Sequence, residues 1–151
     1  MTTLHNILAE HDKSQYATTA GTQTHQKLHK ITISTDIETG DPELIHHIKR
    51  IPELRRLFSP DTKTEVPIAG TINNRFISRR IDRLHIDQDR QTITILDYKT
   101  DTNHEKFRTI YISQMQDYVN LLHAIYPNYK IKTYILWTHD FLLEKLNIKP
   151  L

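Results

Sequence analysis

The 151-residue chain has no cysteine, only three glycines and six prolines. Without thiols there are no disulfides, thiolate zinc sites, iron–sulfur clusters or cysteine nucleophiles, so any metal has to be held by oxygen or imidazole. Gly21, Gly40 and Gly70 stand alone. None of them opens a Walker-type phosphate loop or a GxGxxG string, which excludes a nucleotide cofactor held that way and a built-in motor. Internal repeats and low-complexity stretches are also missing. The longest apolar runs, 134–137 and 141–143, are far too short to cross a membrane, and the amino terminus has no apolar signal segment. The expectation is a cytoplasmic protein without membrane association.

What is present suits one folded domain. The length is that of a single core, and 37% hydrophobic residues with a mean hydropathy of −0.57 give a polar chain that can still bury one. Twenty Lys and Arg against 18 Asp and Glu leave a formal charge of +2, with ten His uncounted, a mild bias toward polyanionic partners.

Residues 1–18 carry a weak apolar face, Leu4, Ile7 and Leu8, and are read as an N-terminal extension holding a loosely packed helix. A helix is expected after Gly21, with Thr22 as N-cap, Leu28 buried, and His25 and His29 on one face. Asp41-Pro42-Glu43 is an acidic cap with proline at the first helical position, followed by Leu44, Ile45 and Ile48 at helical spacing. Pro52 starts a short helix carrying Leu54, Leu57 and Phe58. The period then changes to two, giving strands over 64–71, 75–87 and 91–99, joined by polar turns that favour antiparallel hairpins. A long helix is expected over 105–126, striped by Ile110, Gln114, Tyr118, Leu121, Leu122 and Ile125 and ended by Pro127. A last strand over 130–138 and a short terminal helix over 141–146 complete the order. The fold class is α/β: a central mixed sheet with three antiparallel strands, a long helix and a further strand, flanked by helices.

The chemistry concentrates in Ile81-Asp82-Arg83-Leu84 and Ile95-Leu96-Asp97-Tyr98-Lys99-Thr100. Asp97 and Lys99 are two apart on a strand and leave the same face, while Leu96 and Tyr98 leave the other. An antiparallel hairpin through 87–90 brings Asp82 beside Asp97. Two carboxylates converging on one point make a hard-oxygen site suited to Mg²⁺ or Mn²⁺, and an adjacent lysine suits phosphodiester hydrolysis. The plainer alternative is an Asp–Lys pair at a strand end, worth about 0–1 kcal/mol if exposed.

These strings, with Tyr111-Ile112-Ser113-Gln114-Met115-Gln116-Asp117-Tyr118, Gly21-Thr22-Gln23-Thr24-His25-Gln26-Lys27-Leu28 and Glu65-Val66-Pro67, resemble the RecB-like branch of the PD-(D/E)XK nucleases. The similarity is greatest to the C-terminal nuclease domain of the AddA helicase–nuclease subunit. It extends through Ile125-Tyr126-Pro127 and Ile135-Leu136-Trp137-Thr138, over roughly residues 19–146. The resemblance implies a restriction-endonuclease-like core over 19–151 and a Mg²⁺- or Mn²⁺-dependent deoxyribonuclease of exonuclease type, acting in double-strand-break repair in a bacterial cytoplasm. It implies His25, Asp82, Asp97 and the Tyr98 carbonyl as metal ligands and Lys99 as the catalytic lysine. Gln114 and Tyr118 would face the active site, and Glu65 would stand at the pocket edge. The implied partners are DNA, single-stranded or as an end, and a helicase or AddB-like subunit, so the length suggests a module detached from its motor.

The sequence departs from the family at Arg79, where a glycine is usual three positions before the strand aspartate. This departure and the missing motor keep open an alternative, a catalytically inactive nuclease-like module that binds DNA ends or a partner. A small standalone nuclease of mobile-element or restriction type is a third possibility. Candidate DNA contacts are Arg80, which shares strand parity with Asp82, then Arg83, Lys106 and Arg108. His25 and His29 do not form a zinc-hydrolase HExxH pair, because residue 26 is glutamine. His46 and His47 are adjacent and read as a solvated helix face.

Overall fold

The computed structural model describes residues 19–151, so the helix expected within 1–18 lies outside the described residues. The chain runs α1 (Thr19–His29), β1 (Thr32–Ile33), β2 (Glu38–Thr39), α2 (Pro42–Lys49) and α3 (Pro52–Arg56). It continues as β3 (Lys63–Ile72), β4 (Arg75–Asp87), β5 (Thr92–Lys99), α4 (His104–Ile125), β6 (Lys130–Trp137) and β7 (Leu142–Leu146). Strands β3 to β7 form one five-stranded sheet in sequence order. Every neighbouring pair is antiparallel except β5 and β6, which are parallel and joined by α4. A parallel pair needs such a crossover, which is why the longest helix sits between them. The architecture is therefore α/β with a mixed sheet and flanking helices.

Central strands β5 and β6 are buried on both faces and read as nearly continuous apolar runs. On one face Ile93 and Ile95 meet Tyr111, Met115, Tyr118, Val119 and Leu122 of α4. On the other, Leu96, Tyr98, Tyr134 and Leu136 meet Leu28, Ile45, Ile48, Leu54 and Phe58 of the amino-terminal helices. Gly70 on β3 lets α4 seat closely, since a Cβ there would stand 2.7 Å from the Leu121 side chain. Local chemistry sets the element ends. Asp41 accepts hydrogen bonds from the N–H groups of Glu43 and Leu44, and Asn103 from that of Lys106. Asn73 and Asn74 take positive φ in the two-residue β3–β4 turn.

Four expectations are corrected. Residues 141–146 are not a helix: Phe141 turns the chain with φ +53°, and β7 pairs antiparallel with β6. A short apolar run has no decisive period, and pairing with the otherwise open edge of β6 decides. The first helix begins at Thr19, so Thr22 lies within it rather than capping it, and the small β1–β2 pair intervenes before α2. Ile125 is 58% exposed as the last residue of α4 and leaves the core stripe.

The fourth correction concerns Arg83, expected to touch DNA. It is only 2% exposed and points into the core. Its guanidinium donates to the carbonyls of Leu28 and Ile31 at the end of α1, to that of Leu57 at the end of α3, and to the Tyr98 hydroxyl. It also stacks 3.9 Å above the Phe58 ring. The carbonyl ends of two helices carry partial negative charge and unpaired acceptors, so one planar cation closes both against the sheet. A lysine has too few donors in too compact a head to reach all of these groups. Arg83→Lys is expected to lower the unfolding free energy by about 2–4 kcal/mol, because several buried acceptors lose their donor. Urea denaturation measures it, and a change under about 0.5 kcal/mol would contradict this account.

Candidate active site

The β4–β5 ladder closes with Arg83 opposite Leu96. Past that point β4 continues to pair with β3 alone, while β5 runs on beside β6 to Lys99. The face pattern shifts at the same place. Ile81 and Leu84 both enter the core under α4 although they stand three positions apart, as alternation does not allow. On β3, Glu65 sits with φ +50° between the Thr64–Arg83 and Val66–Ile81 pairs, opposite Asp82. This irregularity acts as a bulge does, re-aiming one side chain. Asp82 consequently turns toward β5, where its Oδ2 accepts the Tyr98 N–H at 2.8 Å.

The Tyr98 carbonyl faces the same gap. His25 Nε2 donates to it at 3.1 Å and lies 3.7 Å from Asp82 Oδ2. The Asp97 carboxyl is close enough to Asp82 to act on its charge. Lys99 Nζ lies 2.8 Å from Asp97 Oδ2 as an ion contact, and that buried oxygen accepts no hydrogen bond. Lys99 Nζ instead donates to Gln114 Oε1 at 3.0 Å, Gln114 Nε2 to the Tyr118 hydroxyl, and Tyr118 to the Arg80 carbonyl. The Tyr111 ring packs 4.3 Å from the ammonium, and its hydroxyl donates to Asp101.

Electrostatics follows from this crowding. Burial, and then the neighbouring Asp97, push the Asp82 carboxyl well above the usual carboxylate range, with the Tyr98 N–H and Lys99 opposing. Burial likewise lowers the His29 imidazole to about 4, against an upward pull from Glu65. Its ring lies 5.5 Å from that of Tyr98 and its Nδ1 is buried without a hydrogen bond.

Of the expected site residues, His25, Asp82, Asp97, Tyr98, Lys99, Gln114 and Tyr118 come together. Glu65 and Arg80 stand at the rim, 3.8 Å apart and both exposed, with His29 also 3.8 Å from Glu65. Lys106 lies over the Phe107 ring, and Arg108 is ion-paired with Glu144 of β7; neither touches the central cluster in any contact described. Arg79 faces α4, 3.9 Å from Asp117, so it neither crowds nor enters the cluster. His46 is exposed, while His47 packs on Phe141. Sequence reasoning took Tyr111 for a core aromatic and gave Asp101 no role. The signal available was Tyr111 one turn before Gln114 and Asp101 two residues after Lys99.

Among the described residues no three His, Asp or Glu side chains form a closed ligand cage. The donors that meet are two carboxylates, one imidazole and a backbone carbonyl, a set that fits a hard divalent cation by donor type. The Asp97 Oδ2 without a hydrogen bond, and the Asp82 carboxyl raised by burial and by Asp97, are both groups whose charged forms a cation at this point would stabilise.

No protein-family model and no curated protein matches the sequence. Among solved structures the chain is similar to SSO0001, with a TM-score of 0.44 and 16% identity over 98% of this chain and 66% of that one.

Because folding raises the Asp82 pKa, the folded chain keeps a proton that the unfolded chain releases, and stability falls as pH rises above about 4. Asp82→Asn keeps the acceptor for Tyr98 and removes the charge. Thermal melts in chelator should therefore show this variant gaining on the wild type with increasing pH. A gap that shrinks as pH rises would contradict the assignment.

Proposed function

We propose that the chain is a RecB-like PD-(D/E)XK nuclease domain that hydrolyses phosphodiester bonds of DNA. The observation that carries this reading is the meeting of Asp82, Asp97, Lys99, His25 and the Tyr98 carbonyl at the point where β4 and β5 part. The ordered sheet β3-β4-β5-β6-β7 with its α4 crossover is compatible with that fold. His25, Asp82, Asp97 and the Tyr98 carbonyl would hold Mg²⁺ or Mn²⁺. Such an ion lowers the pKa of a bound water and offsets charge on phosphate oxygens.

The chain's own residues do the rest. Lys99 is held by Gln114 on one side and Asp97 on the other, so its ammonium is aimed where negative charge develops on an attacked phosphate. Tyr118 anchors Gln114 to the Arg80 backbone and acts as a positioning residue, one step removed from the reacting atoms. The Tyr111 ring shields one side of Lys99 from water, which strengthens every charge interaction inside. Arg80 at the rim supplies a cation for the substrate backbone. Arg79 lies 3.9 Å from Asp117, which weighs against one motive for the reading of an inactive module and leaves the other, the missing motor, in place. A helicase or AddB-like partner belongs to this proposal as the source of DNA strands. No helix of the described residues is long and apolar enough to cross a membrane.

Incubation with single-stranded DNA and Mg²⁺ or Mn²⁺ should give cleavage. Asp97→Ala and Lys99→Ala should each lower its rate by about a hundredfold or more, and Gln114→Ala by less. Cleavage unchanged in both of the first two variants would sink the assignment.

A further inference from the structure

The sheet face that carries α1 to α3 changes character along its length. Leu96, Tyr98 and Leu136 pack under those helices, but the same face of β5 and β6 continues away from them as Thr94, Thr92 and Lys132. Cross-strand pairing sets the polar positions in one row, with His85 on β4 beside Thr94 and Thr94 beside Lys132. One rung nearer the helices, Tyr134 stands beside Lys145 of β7. Arg56 and Leu57 at the end of α3 border these rows, and Arg90 joins them from the β4–β5 turn. Together they line an open cavity of about 300 Å³.

The four cations of this cavity, Arg56, Arg90, Lys132 and Lys145, outnumber its two carboxylates, Glu53 and Asp87, by two. Asp87 is occupied, since its Oδ1 accepts the Arg90 N–H and its Oδ2 lies 4.0 Å from the Arg90 guanidinium. Burial, and then Glu53 beside it, push the Tyr134 phenol up to about 12, so its hydroxyl keeps its proton. Among the described residues no carboxylate lies within ion-pair distance of Arg56, Lys132 or Lys145, whereas Lys49, Arg79 and Arg108 each face an acid. Lys132 is half-buried, so its charge is partly withdrawn from water without an opposite charge beside it. Like charges from three elements around one cavity destabilise one another, and an anion between them reverses the sign of that interaction.

We propose that this cavity binds a small phosphomonoester. Such a group carries about −1.5 to −2 charges near neutral pH, which matches the excess of cations, and the Arg56 guanidinium offers paired donors to its oxygens. The volume is at the lower end of the range for small-molecule sites, about 300–1,000 Å³, and more than an inorganic ion fills, so the ester carries an organic group. Leu57 and the Tyr134 ring form an apolar wall for that group, and Thr92 and Thr94 supply hydroxyl partners. None of the residues of the candidate active site lines the cavity, and Asp97 and Lys99 leave the opposite face of β5. The site is therefore separate from the Asp82–Asp97 cluster and does not rest on the nuclease reading.

Calorimetric titration of the full chain in chelator, with ribose 5-phosphate as probe and ribose and sulfate as controls at matched ionic strength, reads the site without any cleavage step. Ribose 5-phosphate should bind saturably at one site per chain and more tightly than sulfate, and ribose should not bind. Lys132→Gln should weaken it by about tenfold or more, the exposed Lys145→Gln by less, and Lys149→Gln, at a surface position outside the cavity, not at all. Lys145→Gln keeps the test decisive if Lys132→Gln does not fold. Absence of saturable binding, an affinity no better than that of sulfate, or an equal loss in Lys149→Gln would overturn the proposal. So would binding lost in Lys99→Ala and unchanged in Lys145→Gln, since the anion would then sit at the Asp82–Asp97 cluster. Oligo(dT) binding that depends on Lys132 and Lys145, with none for ribose 5-phosphate, would assign these cations to nucleic acid and overturn it as well.

Discussion

The guanidinium of Arg83 fixes the seating of α1 and α3 on β5, which the apolar contacts of Leu28, Leu54, Phe58 and Tyr98 bring side by side without specifying one register. It takes three carbonyls from the ends of α1 and α3 and the hydroxyl of Tyr98 from β5. These acceptors are buried, and a buried carbonyl without a donor destabilises the fold by about 1–3 kcal/mol. The helices therefore have one seat on this face of the sheet. His25 rides on α1, so the same contact brings its imidazole to the Tyr98 carbonyl. No carboxylate lies within ion-pair distance of Arg83 among the described residues, and oriented helix ends supply its negative potential instead. That choice keeps Asp82, its immediate neighbour, free to face the other way.

The site carries charges that the fold alone would not tolerate. Asp82, Asp97 and Lys99 are each less than 5% exposed. Burying these three titratable groups together is unfavourable, and the Lys99–Asp97 contact and the Tyr98 N–H offset only part of it. A core built for stability would place apolar side chains here, as it does two residues earlier at Ile95. Polar groups buried together at such a cost are found more often at functional sites than in cores built for folding alone, which makes this cluster the candidate site.

Much of this was legible in the sequence because it depends on short-range rules. The alternation through Ile93, Ile95, Leu96 and Tyr98 placed Asp97 and Lys99 on one face, and helical spacing placed Gln114 and Tyr118 together. The Asp41 cap and the Asn73-Asn74 turn were equally local. What failed depended on long-range partners. Arg83 reads as one more cation among Arg75, Arg79, Arg80 and Arg90 around the hairpin, and the irregularity between Ile81 and Leu84 turns it into the core instead. Nothing in the string announces it except, in retrospect, Glu65 on the facing strand. Residues 142–146 became a strand because β6 offered an edge, which no property of that segment records. Tyr111 read as core and is core; its second role exists only because Lys99 lies beneath its ring.

The hydrogen-bond chain from Lys99 through Gln114 and Tyr118 to the Arg80 carbonyl makes the seating of α4 part of the site's geometry. Two of its links leave one helix and its ends lie on two strands that no longer pair with each other. Wherever β4 and β5 separate, their relative position has to be fixed by something other than ladder hydrogen bonds. Here α4 spans the gap, and Gly70 under Leu121 sets how closely it can approach. A small rotation of α4 would break the chain at Gln114 before it disturbed the apolar stripe, because hydrogen bonds tolerate less misalignment than packed methyl groups. The parting of the strands and the helix that spans it are thus one device: the first lets Asp82 turn toward Asp97, and the second holds Lys99 beside them.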